Sequence, residues 1–146
     1  MVMYKSRFVF MVVFLFMIVF ARGQKIDSVV IRYEDMWIDH CKAITCSEFG
    51  ISNNDCQKAT ISEPAKIEEF MSVLRGLPYD TIREHYNVYM DTRAQIYIYR
   101  NNCNCTSMIC MDIFGALIGY KYFAYSRDFL RVLSQYIPKK YLPVFK

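Results

Sequence analysis

Apolar side chains recur at Ile67, Phe70, Met71 and Leu74, the i, i+3, i+4, i+7 spacing of a helix with one buried stripe. Ser62 stands where an N-cap is needed, and Pro64 falls in the first turn, where a missing N–H costs nothing. Gly76 offers a left-handed stop, and Pro78 bars resumption. These features predict a helix over Ser62–Leu74. A second helix is predicted over Arg127–Ile137. Ser126 caps it, Phe129, Leu130, Leu133 and Ile137 form its stripe, and Pro138 ends it. Elsewhere the period is two. Ala94–Arg100 alternates aliphatic residues with tyrosine, and Lys25–Asp35 puts Val29, Ile31 and Tyr33 on one face with Ser28, Val30 and Arg32 on the other. Ala43–Phe49 is expected to return as a second strand, with Gly50–Lys58 as loop and Tyr79–Met90 as a connection. Thr106–Phe114 reads as the return strand after an Asn101–Asn104 turn, and Gly115–Gly119 as a bend into Tyr120–Tyr125.

The element order is therefore β-β-α-β-β-β-α. Hairpin-spaced strands imply an antiparallel sheet of about five strands, and two one-sided helices imply that both cover one of its faces, which is an α+β fold. Tyr97 and Tyr99 alternate with Ile96 and Ile98, so one set must go beneath the helices. The aliphatic set is expected there, with Ile67, Phe70, Leu74, Phe129, Leu130 and Leu133 packed on it. The tyrosines are then left on the other face.

The start of the chain follows neither pattern. Lys5 and Arg7 precede an unbroken apolar run from Phe8 to Ala21, 14 residues long. That is short of the roughly 20 residues of a membrane span and fits the core of a secretory signal. Ala21-Arg22-Gly23 ends it with small residues at −3 and −1, so residues 1–23 are expected to be removed and residues 24–146 to form one exported domain. No membrane association is expected after cleavage.

Cleavage changes the charge. The whole chain carries 18 basic and 14 acidic residues, and the segment removed holds three basic residues and no acid, which leaves a net charge of +1. So small an excess offers a polyanion nothing, and nucleic acid is not an expected partner. The remaining length suits one domain with one core.

The motifs "SEPAKIEEFMSVL", "DTRAQIYIYRNN", "MIC" and "GYKYFAYSRDFLRVL" resemble those of small exported proteins of unknown function from gut Bacteroidetes. The resemblance spans most of the predicted domain. It implies export and carries no active site with it. It also makes the formal glycosylation acceptor Asn104-Cys105-Thr106 irrelevant, since that matters only in a eukaryotic source.

Export bears on the six cysteines. In an oxidising compartment an even number is expected to pair. They form two groups of three: Cys41, Cys46 and Cys56, then Cys103, Cys105 and Cys110. If all six pair within the chain, at least one bridge must join the groups. Cys103 and Cys105 are one residue apart, which disfavours a bond between them. One of them is expected to reach back to the first hairpin or its loop. The competing reading is a periplasmic metal-binding protein. Cys41-x4-Cys46 and Cys105-x4-Cys110 share a spacing, Cys103 adds a thiolate, and Met108 and Met111 offer soft donors for copper. Neither cluster is a C-x-x-C knuckle, so no metal ligand is assigned. The absence of C-x-x-C also argues against a thiol oxidoreductase.

No catalytic residue is assigned either. Asp39-His40-Cys41 is a conspicuous triplet, but neighbours on an extended chain point to opposite faces. His85, the other histidine, has no sequence link to a cysteine. No P-loop, dinucleotide fingerprint, nucleophile elbow or paired-carboxylate motif is present, and no cofactor is expected. Tyrosine is the remaining excess. Tyr97, Tyr99, Tyr120 and Tyr122 form a candidate binding surface, because tyrosine gives contact area at low entropic cost. The expectation is a non-enzymatic, exported, disulfide-braced domain that binds a protein or a cell-envelope component, in an inhibitor- or immunity-like role.

Overall fold

The computed structural model describes residues 25–38, 41–50, 56–86, 90–100 and 107–143, without the side chains of 84–86. The expected signal segment, His40, Cys103, Cys105 and the Asn104 acceptor lie outside the described residues, as does the side chain of His85.

The described chain is α+β, as its hydrophobic patterning requires. In chain order the elements are β1 (Ile26–Tyr33), β2 (Gln57–Ile61), α1 (Pro64–Arg75), α2 (Thr81–Tyr86), β3 (Ala94–Arg100), β4 (Ser107–Met111), β5 (Gly115–Ile118), β6 (Lys121–Ala124) and α3 (Arg127–Leu133), then a short 3₁₀ turn at Lys139–Tyr141. The strands form one antiparallel sheet in the order β2-β1-β3-β4-β5-β6.

Register fixes which side chains share a face. Val29 pairs with Ile98, Ile31 with Ile96 and Ile96 with Ile109. This set lies beneath α1 and α3 with Ile61, Met111 and Ala116. Ile67, Phe70 and Leu74 from α1 and Phe129, Leu130 and Leu133 from α3 complete the core, as the helical stripes predict. Phe70 and Phe129 meet at 6.0 Å between ring centroids. The aliphatic face is thus the covered one, and Tyr97 and Tyr99 are half-buried on the other. Ser126 caps α3 as expected, its side chain accepting a hydrogen bond from Phe129 N.

Several expectations are corrected. The sheet has six strands, one more than expected. The strand expected at Ala43–Phe49 is a turn. Glu48 and Phe49 donate their N–H groups to Thr45 O, and the Glu48 carboxylate accepts from both Thr45 N and Thr45 Oγ1. Such local side-chain bonds compete with a ladder and win here. They also hold the Glu48 pKa down: the Thr45 bonds, with help from Lys42, lower it to about 2. The true second strand, Gln57–Ile61, begins within the expected Gly50–Lys58 loop and runs through residues that carry no expected element. It is an edge strand pairing only with β1, so only Ile61 needs to be fully buried and its alternation is faint.

The segment expected to bend at Gly115–Gly119 is β5. It pairs with β6 through the two-residue loop Gly119-Tyr120, with Gly119 at φ +62°. At the other end of β5, Gly115 is required because a Cβ there would overlap the Phe123 carbonyl. The connection expected after Pro78 contains the short helix α2. α1 begins after Glu63, with no side-chain cap, so Ser62 is not its N-cap. Gly76 ends α1 at φ −84°, outside the left-handed region.

Candidate functional site

Two helices do not cover six strands. α1 lies against β1 and α3, so the far end of the helix-facing side of β3 to β6 is left partly open. A cavity of about 500 Å³ occupies that corner. Met71 and Leu74 of α1 form one wall, Ile98 of β3 and Ile109 of β4 the floor, and Ile118 and Phe123 the far side. Its size falls in the range of small-molecule sites, which run about 300–1,000 Å³. The alternation that makes Ile96 and Ile98 core residues continues to Arg100, which brings a cation to this apolar corner. Arg100 Nη1 donates to Ser107 Oγ at 3.3 Å, across the start of β4. Among the described residues it has no carboxylate partner. Arg75, at the end of α1, stands on the same rim. Its Nη2 is 2.9 Å from Glu68 Oε1, an exposed pair and therefore a weak one.

The candidate tyrosines do not converge. Tyr97, Tyr99 and Tyr122 share the face away from α1 and α3, with Tyr122 two strands beyond β4, and Tyr120 is 97% exposed in the β5–β6 loop. Tyr122 is engaged: the Arg83 guanidinium lies 4.9 Å from its ring centroid. Tyr97 donates to Gln95 Oε1 at 2.6 Å, and Arg32 stacks on its ring at 5.4 Å. These contacts describe a packed strand face more than an open recognition surface.

Cys46 and Cys110 are joined, a bridge between the two sequence groups with a Cα–Cα separation of 5.8 Å and a sequence separation of 64. The C-terminal member is Cys110, on the inner part of β4, and the expected partners Cys103 and Cys105 lie outside the described residues. Gln95, opposite Cys110 in the register, donates from Nε2 to Cys46 O at 2.5 Å. Thr92 N donates to Ile44 O at 2.7 Å, and Ile44 N to Asp91 Oδ1 at 2.8 Å. The bridge thus pins the Thr45 turn across the second face of the sheet. Cys41, at the start of that segment, is exposed with a free thiol, which departs from the expectation that all six cysteines pair. Among the described residues no group of three His, Cys, Asp or Glu side chains is placed to hold a metal ion, and no helix is long and apolar enough to cross a membrane.

The densest polar cluster lies at the β4–β5 corner. Asp112 accepts from Arg83 Nη1 at 3.1 Å and Nη2 at 2.5 Å, and its Oδ1 also accepts from Phe114 N and Gly115 N. The Tyr125 hydroxyl lies 2.6 Å from Asp112 O and 2.8 Å from Gly115 O and donates to this pair of carbonyls. Burial would lower the Arg83 pKa, but the hydrogen bonds and charge of Asp112 outweigh it and leave the pKa raised. Burial pushes the Tyr125 phenol well above its ordinary value, and the Asp112 charge adds to this. Every strong polar atom here is satisfied within the protein, so the cluster braces a turn and offers no reactive group.

No family model, curated protein or solved structure matches the chain. Function rests on geometry alone. The residues that matter most in it, Arg100 and Arg75, were not expected from sequence. One signal was available: in Ile96-Tyr97-Ile98-Tyr99-Arg100, a cation takes the place where the apolar face would continue.

Proposed function

We propose that this is a non-catalytic, disulfide-braced binding domain of an exported protein, and that its site is the cavity between α1 and β3 to β6. The observation that carries the reading is the cavity itself, an apolar volume of about 500 Å³ left where the helix layer stops short of the sheet. Such concave, mostly apolar sites with a few polar groups at the mouth are where small ligands bind. The Cys46–Cys110 bridge suits an oxidising compartment, and there the ligand is a component of the envelope or its surroundings.

The test uses N-phenyl-1-naphthylamine, an uncharged dye that fluoresces in apolar sites. The full chain with its disulfide intact is expected to bind it at one site. Ile118→Trp, which enlarges a half-buried side chain on the cavity wall, is expected to abolish that binding while leaving the circular dichroism unchanged. Undiminished dye binding by a folded Ile118→Trp protein would remove the cavity from consideration.

A further inference from the structure

We propose that the cavity takes a single-chain anionic amphiphile, its hydrocarbon tail inside and its carboxylate or phosphate head on Arg100. This rests on the cavity being the binding site and adds the chemistry of the ligand. The walls made by Met71, Leu74, Ile98, Ile109, Ile118 and Phe123 carry no ionisable group, so they favour hydrocarbon. Among the described residues the charged side chains that line the mouth are two arginines, Arg100 and Arg75, and of these only Arg75 is paired, with the exposed Glu68. Arg100 ends β3 on the cavity side, half-buried, and its only side-chain hydrogen bond among the described residues is to the Ser107 hydroxyl.

A guanidinium has five N–H donors in a fixed fork. With one of them on Ser107, donors remain to grip a carboxylate or phosphate in the bidentate manner that suits arginine. Ser107 orients the fork. Arg75 stands across the rim, and its exposed partner Glu68 is easily exchanged for a ligand anion. An uncharged chain would fill the same volume and leave Arg100 unanswered. A cationic head would be repelled. The occupant is therefore distinguished by its head group, and tail length is a secondary matter of how much hydrocarbon the cavity accepts.

The experiment measures displacement of N-phenyl-1-naphthylamine by three ligands with the same ten-carbon tail: decanoate, decanol and decyltrimethylammonium. Decanoate is expected to displace the dye at about one-tenth of the decanol concentration, the size of effect that one charge-assisted hydrogen-bonded pair produces. Decyltrimethylammonium should be the weakest of the three. Arg100→Gln should bring decanoate and decanol together, and Arg75→Gln should do so only in part. Decyl phosphate separates the two head chemistries: tighter binding than decanoate assigns the site to a phosphate head, weaker binding to a carboxylate. If the dye binds and all three head groups displace it equally, the anionic assignment falls and the cavity reading stands. This ranking on the unaltered protein decides the matter even if Arg100→Gln does not fold. If the dye is not bound at the cavity at all, both fall together.

Discussion

At the scale of single residues, Asp112 holds more of the structure than its place in the sequence suggests. Its carboxylate answers Arg83 from 29 residues away and two backbone N–H groups of its own turn. Arg83 lies between the rings of Phe114 and Tyr122, so its charge has little water to fall back on. Asp112→Ala would leave that cation buried and two N–H groups unanswered. The expected loss is about 3–5 kcal/mol, measured by urea denaturation. None of this was legible in the sequence, because an aspartate before a turn has many ordinary uses and α2 itself was unmarked. Tyr125 gives a second prediction at this scale. Its folded pKa is raised, so the folded protein keeps the phenolic proton at a pH where the unfolded chain has lost it. That contribution to stability is complete below the unfolded value, about 10, and declines as pH rises above it. Denaturation midpoints should therefore fall between pH 9.5 and about 11.5 in the native sequence. They should fall less steeply in Tyr125→Phe, which retains the smaller contributions of Tyr33 and Tyr136, both also raised by burial, and of Lys66, raised by its bond to Glu63. Equal slopes in the two proteins would refute the assignment.

At the scale of elements, what was legible is what periodicity encodes. α1, α3, β1 and β3 each bury one face over seven or more residues, so each leaves a regular apolar stripe. β2 and the β5–β6 hairpin are four or five residues long, at or near a sheet edge, and stripes that short are indistinguishable from loop. The outer edge of β6 is itself closed, since Asp80 N donates to Tyr122 O and Ala124 N to Pro78 O. This protects one end of the sheet from pairing with another chain. The hairpin depends on Gly115 for a reason that is steric and independent of its φ. A Cβ would strike the backbone carbonyl of Phe123, an atom held in the ladder. Gly115→Ala should therefore cost about 1–3 kcal/mol, the range of overpacked sites, and raise amide exchange along β5 and β6 first. Gly119→Ala makes the contrast: the space around it is open, and the cost there comes only from its positive φ. A Gly115→Ala protein as stable as the parent would show that the two strands separate more easily than their pairing implies.

At the scale of the whole molecule, the two faces of the sheet are held by different means. One is covered by hydrophobic burial under α1 and α3. The other is crossed by the Thr45 turn, which contributes Phe49 as its buried apolar side chain and is otherwise fixed by hydrogen bonds and one disulfide. Sequence logic reached the need for a bridge between the two cysteine groups by parity. It could not reach Cys46–Cys110, because that pairing follows from Cys110 facing away from the helices, and so from the register of β4 against β3. The bridge closes a loop with a sequence separation of 64, running from β2 to β4. A loop of that length gives about 4 kcal/mol in the chain-entropy model. Cys46→Ala/Cys110→Ala should lose about that much in urea denaturation. The loss should also be uneven. The core beneath the helices contains neither cysteine, so amides of β1 and β3 that bond within the ladder should keep their order of protection. Those of residues 44–49 should exchange far faster, since the turn loses its covalent anchor and keeps only its strand-side hydrogen bonds to Thr92, Asp91 and Gln95. Cavity binding separates the faces further. The cavity lies on the helix side, so a folded double variant should bind N-phenyl-1-naphthylamine as tightly as the parent. A large drop in dye affinity would mean that the disulfide shapes the site across the thickness of the sheet, and the division of labour between the two faces would have to be abandoned.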